Sequence, residues 1–205
     1  MMKILALILH GQKSSQRFEN ISKTWGQEID FLFYSDHNSF RTIKVTDRND
    51  YASAELKQIN IINDLPKEYL NYDWYLFCDD DTFINTKLLL SKIDSFDPEE
   101  VTGQLIQCWQ PDPTLSYLSG GAGFLMSNKI LKSIKGRIPN YNSGYSDVTM
   151  GLFYRENNIK IKHSELFMSQ NPEFYNVSDN NISKFISFHY IKDYETMRKM
   201  HEICK

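Results

Sequence analysis

Apolar runs and amphipathic stretches alternate along most of this chain. Lys3–Leu9 reads as a first buried strand, and "IDFLFYSD" at 29–36 as a second that ends on an acid. Between them Ser14–Thr24 reads as a short polar helix with Phe18 and Ile21 on its inner face. Tyr51–Leu65 carries Ala52, Leu56, Ile59 and Ile62 at three- and four-residue steps, so it predicts a helix, and Pro66 fits its end. "YDWYLFC" at 72–78 predicts a further strand, and Asn85–Ile93 a helix that turns Leu88, Leu89 and Ile93 inward. Later come a Lys-rich helix at 128–135, a helix at Asp147–Arg155, a short strand at Phe185–Ile191 and a terminal helix at 193–204. Strands alternating with helices argue for an α/β fold with a mainly parallel central sheet flanked by helices.

No linker-like stretch interrupts this pattern, so residues 1–205 read as a single domain. With 41% hydrophobic and 14% aromatic residues the chain is globular rather than disordered. A net charge of −3 gives no basic excess, which argues against nucleic acid as a partner. Cys78, Cys108 and Cys204 form no metal-binding pattern, and an odd, small count fits reduced thiols, though one disulfide stays open. The apolar run at Ile4–Leu9 stops at His10-Gly11, too short for a signal peptide or a membrane span. The expectation is a cytoplasmic protein, free or peripheral to a membrane, whose Asn-x-Ser sequons at Asn20, Asn176 and Asn181 arise by chance in an Asn-rich chain.

The chemistry starts at "DWYLFCDDDTF", residues 73–83. Three adjacent carboxylates follow an apolar strand. In open α/β sheets ligands bind beyond the carboxyl ends of strands. Alternation along the strand lets Asp79 and Asp81 face one way and Asp80 the other. Two like-facing carboxylates raise each other's pKa unless a cation compensates, and a hard ion such as Mg²⁺ or Mn²⁺ is suited to that. The competing reading is a solvated acidic turn, or an N-cap cluster for the helix at 85. "YLSGGAGFLMS" at 117–127 offers glycines that let backbone approach a ligand, or simply a tight turn. Asp147 stands before an apolar helical stretch, where it is a helix cap or a general base. His189 sits in an apolar segment, where it is a structural histidine or a metal ligand.

Taken together, "KTWG" (23–26), "DWYLFCDDDTFI" (73–84), "FDPEE" (96–100), "YLSGGAGFLMS" (117–127), "SDVTMG" (146–151) and "SFHYI" (187–191) resemble the fringe and β1,3-galactosyltransferase superfamily. "DPEE", "SGGAG" and "SFHY" resemble its core 1 β1,3-galactosyltransferase branch most. The likeness runs from about Arg17 to the C-terminus.

The resemblance implies a GT-A fold, with residues 1–84 forming a nucleotide-binding half and 85–205 an acceptor half. It implies inverting transfer of a hexose, galactose in the nearest branch, from a UDP-sugar to a glycan or glycoconjugate hydroxyl, giving a β1,3 linkage. It also implies a divalent ion, usually Mn²⁺, on Asp79, Asp81 and His189, with Asp147 as the base. Asp80 would lie near the ribose, Gly120, Gly121 and Ala122 along the donor sugar, and Arg17 and Lys57 near the nucleotide. Two departures stand out. Ser146 occupies a position that is usually acidic in the family. The chain also shows neither the N-terminal anchor nor the disulfide complement of the animal enzymes. The alternatives are a binding module with a decayed site and a phosphohydrolase built on the Asp cluster. The co-occurrence of the Asp cluster, Gly loop, Asp147 and His189 favours the active transferase.

Overall fold

The first strand has no polar side. Each of Ile4 to Ile8 is buried, the mark of a strand covered on both faces. The computed structural model describes residues 2–11, 15–107 and 112–205. In chain order its first elements are β1 (Ile4–Leu9), α1 (Ser15–Ser22), β2 (Asp30–Ser35), β3 (Thr42–Lys44), α2 (Ser53–Asp64), β4 (Trp74–Asp79), β5 (Phe83–Ile84) and α3 (Thr86–Lys92). Then come β6 (Glu100–Gly103), β7 (Leu105–Gln107), β8 (Ser116–Leu118), β9 (Phe124–Ser127), α4 (Asn128–Ile134) and α5 (Ser146–Glu156). The last are β10 (Lys160–His163), β11 (Phe167–Met168), α6 (Asp179–Ile182), β12 (Ser187–Phe188) and α7 (Tyr194–Cys204).

Seven strands form the main sheet in the order β10-β6-β9-β4-β1-β2-β3. The run β4-β1-β2-β3 is parallel, β9 is antiparallel to both its neighbours, and β10 closes the edge parallel to β6. This is the α/β GT-A architecture that the motifs imply. The pleat divides the core in two. Ile4, Ala6, Ile8, Phe33, Leu76 and Cys78 pack with Ile21 of α1, Leu89 of α3 and Met197 of α7. Leu5, Leu7, Leu32, Tyr75 and Phe77 pack on the other face with Ile59 of α2, Leu131 of α4 and Phe153 of α5. Fully burying such a side chain stabilises by about 1.5–3 kcal/mol, so both helical layers are fixed to the sheet that carries the site.

Helix ends follow local chemistry. Asn85 Oδ1 accepts from Leu88 N–H ahead of α3, and Ser127 Oγ accepts from Ile130 N–H ahead of α4. The helices expected at 51–65, 85–93, 128–135 and 193–204 are present within two residues at each end. The helix at 14–24 covers Ser15–Ser22, and its expected first residue lies outside the described residues.

The strand expected at 185–191 is shorter. β12 holds only Ser187 and Phe188, between β11 and β5 in a small three-stranded sheet. Tyr190 ends it by adopting a positive φ of 59°, a conformation no strand contains. Cys78 and Cys204 are buried free thiols, and Cys108 lies outside the described residues. Among the described residues no helix is long and apolar enough to cross a membrane.

Candidate active site

Leu9 pairs with Asp79 across the sheet, so β1 and β4 end side by side. His10, Asp36 and Asp79 therefore meet at one carboxyl edge, where open α/β sheets bind ligands. The three aspartates occupy this edge, but strand alternation does not sort them. β4 stops at Asp79, and Thr82 N–H donates to the Asp79 carbonyl at 3.2 Å, closing a turn. The turn sends Asp80 back toward β1, while Asp81 goes the other way. The expected division is present, and its cause is the turn.

Asp80 is fully engaged. Its Oδ2 lies 2.8 Å from His10 Nδ1, and its Oδ1 accepts from Arg17 Nη1 at 3.0 Å. Burial raises its pKa, and these two partners only partly offset that. Arg17 also reaches Asp81 Oδ2 at 3.2 Å. Lys57 is less free than its sequence role suggests. Its ammonium donates to Asp36 Oδ1 at 3.0 Å and to the His10 carbonyl at 3.2 Å. Burial opposes ionisation of Asp36, but hydrogen bonds from Lys57, Ser35 and its own backbone, with the charge of Lys57, together outweigh it and lower the pKa. His10, Arg17, Lys57 and Asp80 all line one open cavity of about 570 Å³.

Asp81 and Asp79 converge on His189. Its Nε2 lies 3.0 Å from Asp81 Oδ1 and 3.5 Å from Asp79 Oδ2. One ligand atom from each of the three lies within 4.8 Å of the others. Burial opposes the charged imidazole, yet hydrogen bonds and charge from the two aspartates push its pKa to about 9. Burial likewise opposes ionisation of Asp81, but His189 and Arg17 outweigh it and lower the pKa.

The opposite ring nitrogen, Nδ1, lies 3.3 Å from the Ser169 carbonyl. Donation there leaves Nε2 as the nitrogen that faces the carboxylates and that a metal ion would take in place of its proton, the outer-shell arrangement typical of a metal-ligating histidine. Two carboxylates and an imidazole so held fit a divalent ion such as Mn²⁺.

His189 is clamped by its neighbours. Its N–H donates to the Met168 carbonyl at 3.1 Å, and Ile191 N–H donates to the Asp81 carbonyl at 2.8 Å. The Tyr190 ring stacks on it at 3.8 Å between centroids. Gly121 lies against its other side, where an added Cβ would fall 2.1 Å from the imidazole. The glycine loop thus gives its missing side chain to the histidine at this position. Thr82 Oγ1 donates to the Gly121 carbonyl at 2.8 Å, which ties the loop to the aspartate turn. Gly120 and Gly121 line a second cavity. Ala122, expected along the donor sugar, is fully buried, and its carbonyl accepts from Ser187 Oγ.

Asp147 lies across that second cavity, which measures about 270 Å³ and is also lined by Asp79 and His189. It is the second residue of α5, and its Oδ1 accepts from Val148 N–H at 2.9 Å. Burial first, and repulsion from Asp79 second, push its pKa up to about 6. Close packing sets this helix. A Cβ on Gly151 would meet Tyr117 Cβ at 2.7 Å, so the glycine lets α5 lie against β8.

Several residues of this site were not read from the sequence. His10 and Asp36 are the clearest, and the strand-end rule that singled out Asp79 also covers "LILHG" and "FYSD". Glu55 carries no local signal, because its partners Ser143, Gly144 and Thr149 lie far away in sequence.

Three-dimensional likeness agrees with the architecture. A glycosyltransferase involved in the glycosylation of the major capsid of PBCV-1 superposes with a TM-score of 0.58 at 15% identity, over 98% of this chain and 99% of that one. The apo-form glycosyltransferase GlyE of Streptococcus pneumoniae TIGR4 gives 0.51 at 10% identity, over 93% of this chain and 55% of that one. At such identities the likeness is one of fold. The sequence adds more, because the model of the Fringe-like family matches residues 11–203. Family and fold together support a glycosyltransferase, and the chain belongs to the Fringe-like family.

Proposed function

We propose that the protein is a metal-dependent inverting glycosyltransferase. It moves a hexose, galactose by motif resemblance, from a UDP-sugar to a saccharide hydroxyl and forms a β1,3 linkage. One observation carries this reading. Asp79, Asp81 and His189 form a compact ligand set, and Asp147, outside that set, lines the same cavity as Asp79 and His189. Inverting transfer needs that separation, because charge must be neutralised at the leaving group while a base acts on the incoming hydroxyl.

Asp79, Asp81 and His189 would hold Mn²⁺ or Mg²⁺, which stabilises the developing charge of the departing diphosphate as a Lewis acid. Arg17 faces the same diphosphate side, and Asp80 stands in the nucleotide cavity beside it. Lys57 acts there through the frame it forms with Asp36 and His10. Asp147 accepts the proton of the acceptor hydroxyl as the oxygen attacks the anomeric carbon. Gly120 and Gly121 leave room for the sugar in that cavity. A carboxylate whose pKa lies near 6 is ionised at neutral pH and more basic than an ordinary aspartate.

A panel of UDP-sugars incubated with Mn²⁺, Mg²⁺ or EDTA tests this directly. The expected result is UDP release from one or two donors, with UDP-galactose among them, stimulated by a divalent ion and abolished by EDTA. Release of inorganic phosphate instead, or no divalent stimulation, overturns the reading.

A further inference from the structure

The wall of the Asp147 cavity includes two tyrosines that the transfer chemistry leaves without work. Tyr51, just ahead of α2, is 82% exposed, and Tyr145, just ahead of α5, is 55% exposed. Their ring centroids lie 6.4 Å apart at 77°, and both line the cavity with Asp147. Aromatic rings left this open usually mark a recognition surface, since they offer large rigid area with a polar tip.

The pair is also held in place. Glu55 of α2 is buried, and its carboxylate accepts from Gly144 N–H at 2.7 Å, Ser143 N–H at 3.2 Å and Thr149 Oγ1 at 2.6 Å. This carboxylate binds the loop before α5 to the first turn of α2. Ala54 N–H donates to the Tyr51 carbonyl at 3.2 Å, and Thr149 N–H donates to the Tyr145 carbonyl at 3.1 Å. Both backbones are therefore fixed while both rings face solvent. A surface ordered this way, two residues from the base, suits a ligand more than it suits water.

We infer that Tyr51 and Tyr145 form an aromatic corner in which a saccharide acceptor lays the apolar C–H face of a pyranose ring on Tyr145, with the Tyr51 ring, at 77° to it, beside the sugar. The inference rests on the transferase reading and deepens it. The flat C–H face of a pyranose matches an aromatic ring, while its rim of hydroxyls suits a polar mouth. The acceptor fits better here than the donor sugar, because Asp147 must touch the acceptor hydroxyl and Tyr145 is two residues before it. Tyr51 also lines the nucleotide-side cavity, but Tyr145 does not. Tyr145 is therefore the cleaner probe.

The test measures steady-state constants for donor and acceptor with methyl glycosides of galactose, glucose, N-acetylglucosamine and N-acetylgalactosamine as acceptors. Tyr145→Ala should raise the acceptor KM about tenfold, in line with about 1.4 kcal/mol of lost contact, while the donor KM stays within twofold. Tyr145→Phe should restore the acceptor KM, because stacking needs the ring and not the hydroxyl. Phe40→Ala removes an aromatic that is 77% exposed and lines a different cavity, and should change neither constant. Thermal unfolding of each variant checks that folding is intact.

An increase in donor KM with the acceptor KM unchanged assigns the corner to the donor sugar and overturns the inference. Equal loss in Tyr145→Phe and Tyr145→Ala assigns the effect to the hydroxyl and overturns it too. A protein that hydrolyses a UDP-sugar but uses none of the glycosides refutes a free pyranose as the acceptor. A protein that hydrolyses no donor refutes the transferase reading itself.

Discussion

The two cavities that meet at Asp79 and His189 solve opposite electrostatic problems. On the nucleotide side the central charges are paired: Asp80 has His10 and Arg17, and Asp36 has Lys57. On the other side Asp147 accepts from backbone N–H groups alone, among them those of Val148 and Gly120, and no cation lies against its carboxylate among the described residues. The first arrangement is a rigid frame into which a charged ligand can settle with little rearrangement. The second leaves one carboxylate destabilised in its ionised form, as a proton acceptor requires. Groups already paired resist changing their protonation state, so the proposed proton transfer is assigned to the lone residue.

The largest break in that comparison comes from Asp147→Asn. It should reduce transfer about 10³-fold and leave UDP binding by calorimetry unchanged. The wild-type rate should fall as pH drops through about 6, because the base must be ionised, and a bound ion that compensates Asp79 will move this limb lower. Stability should move the other way. A raised carboxyl pKa means that its favourable contribution is complete below the ordinary value of 3.8 and is lost as pH rises through about 6. At pH 7.5 the Asn variant should therefore unfold at higher urea, by up to about 3 kcal/mol. A variant with near wild-type transfer would remove Asp147 from the mechanism.

A smaller effect separates frame from aromatic corner. Glu55→Ala removes the acceptor of two backbone N–H groups and one hydroxyl. Its stability cost should be about 2 kcal/mol, read by urea denaturation. The acceptor KM should rise with it, since Tyr51 and Tyr145 lose their common anchor. UDP affinity should stay, because the Arg17 and His10 contacts lie on the other side of Asp79. A loss of UDP affinity equal to the loss in acceptor KM would show that the two cavities are not independent.

Much of the frame was legible in sequence because its signals are local. Periodicity found β1, β2 and β4 and the helices that cover them, and the strand-end rule placed Asp79 at the crevice. The short strands β3, β6, β7 and β10 hold three or four residues each and show no period to read. The late strand was overextended because the apolar run "FISFHYI" cannot reveal that Tyr190 turns to positive φ. The resemblance implies Ala122 along the donor sugar, yet the loop turns it into the core. The resemblance implies Lys57 near the nucleotide; it lines that cavity, and Asp36, 21 residues away, holds its ammonium, a pairing no local pattern shows. Local pattern identifies elements and edges. It does not report pairings that only the sheet brings together.

The adjacent glycines allow the finest test, because sequence alone treats them alike. A Cβ on Gly120 meets nothing nearer than 3.8 Å, whereas one on Gly121 would stand 2.1 Å from the His189 ring. The ring cannot simply retreat, since Tyr190 stacks on it and Met168 and Asp81 hold the backbone on either side of it. Gly121→Ala should therefore move Nε2 away from Asp79 and Asp81 and weaken Mn²⁺ binding by about 10- to 100-fold, the range seen when metal-orienting partners are lost. Gly120→Ala should bind Mn²⁺ within about twofold of wild type, because an ordinary van der Waals contact at that distance costs little. Mn²⁺ binding followed by electron paramagnetic resonance measures both variants without requiring turnover. Equal metal affinity in the two would mean that His189 is not a ligand, or that its clamp is looser than the packing of Tyr190 and Gly121 implies.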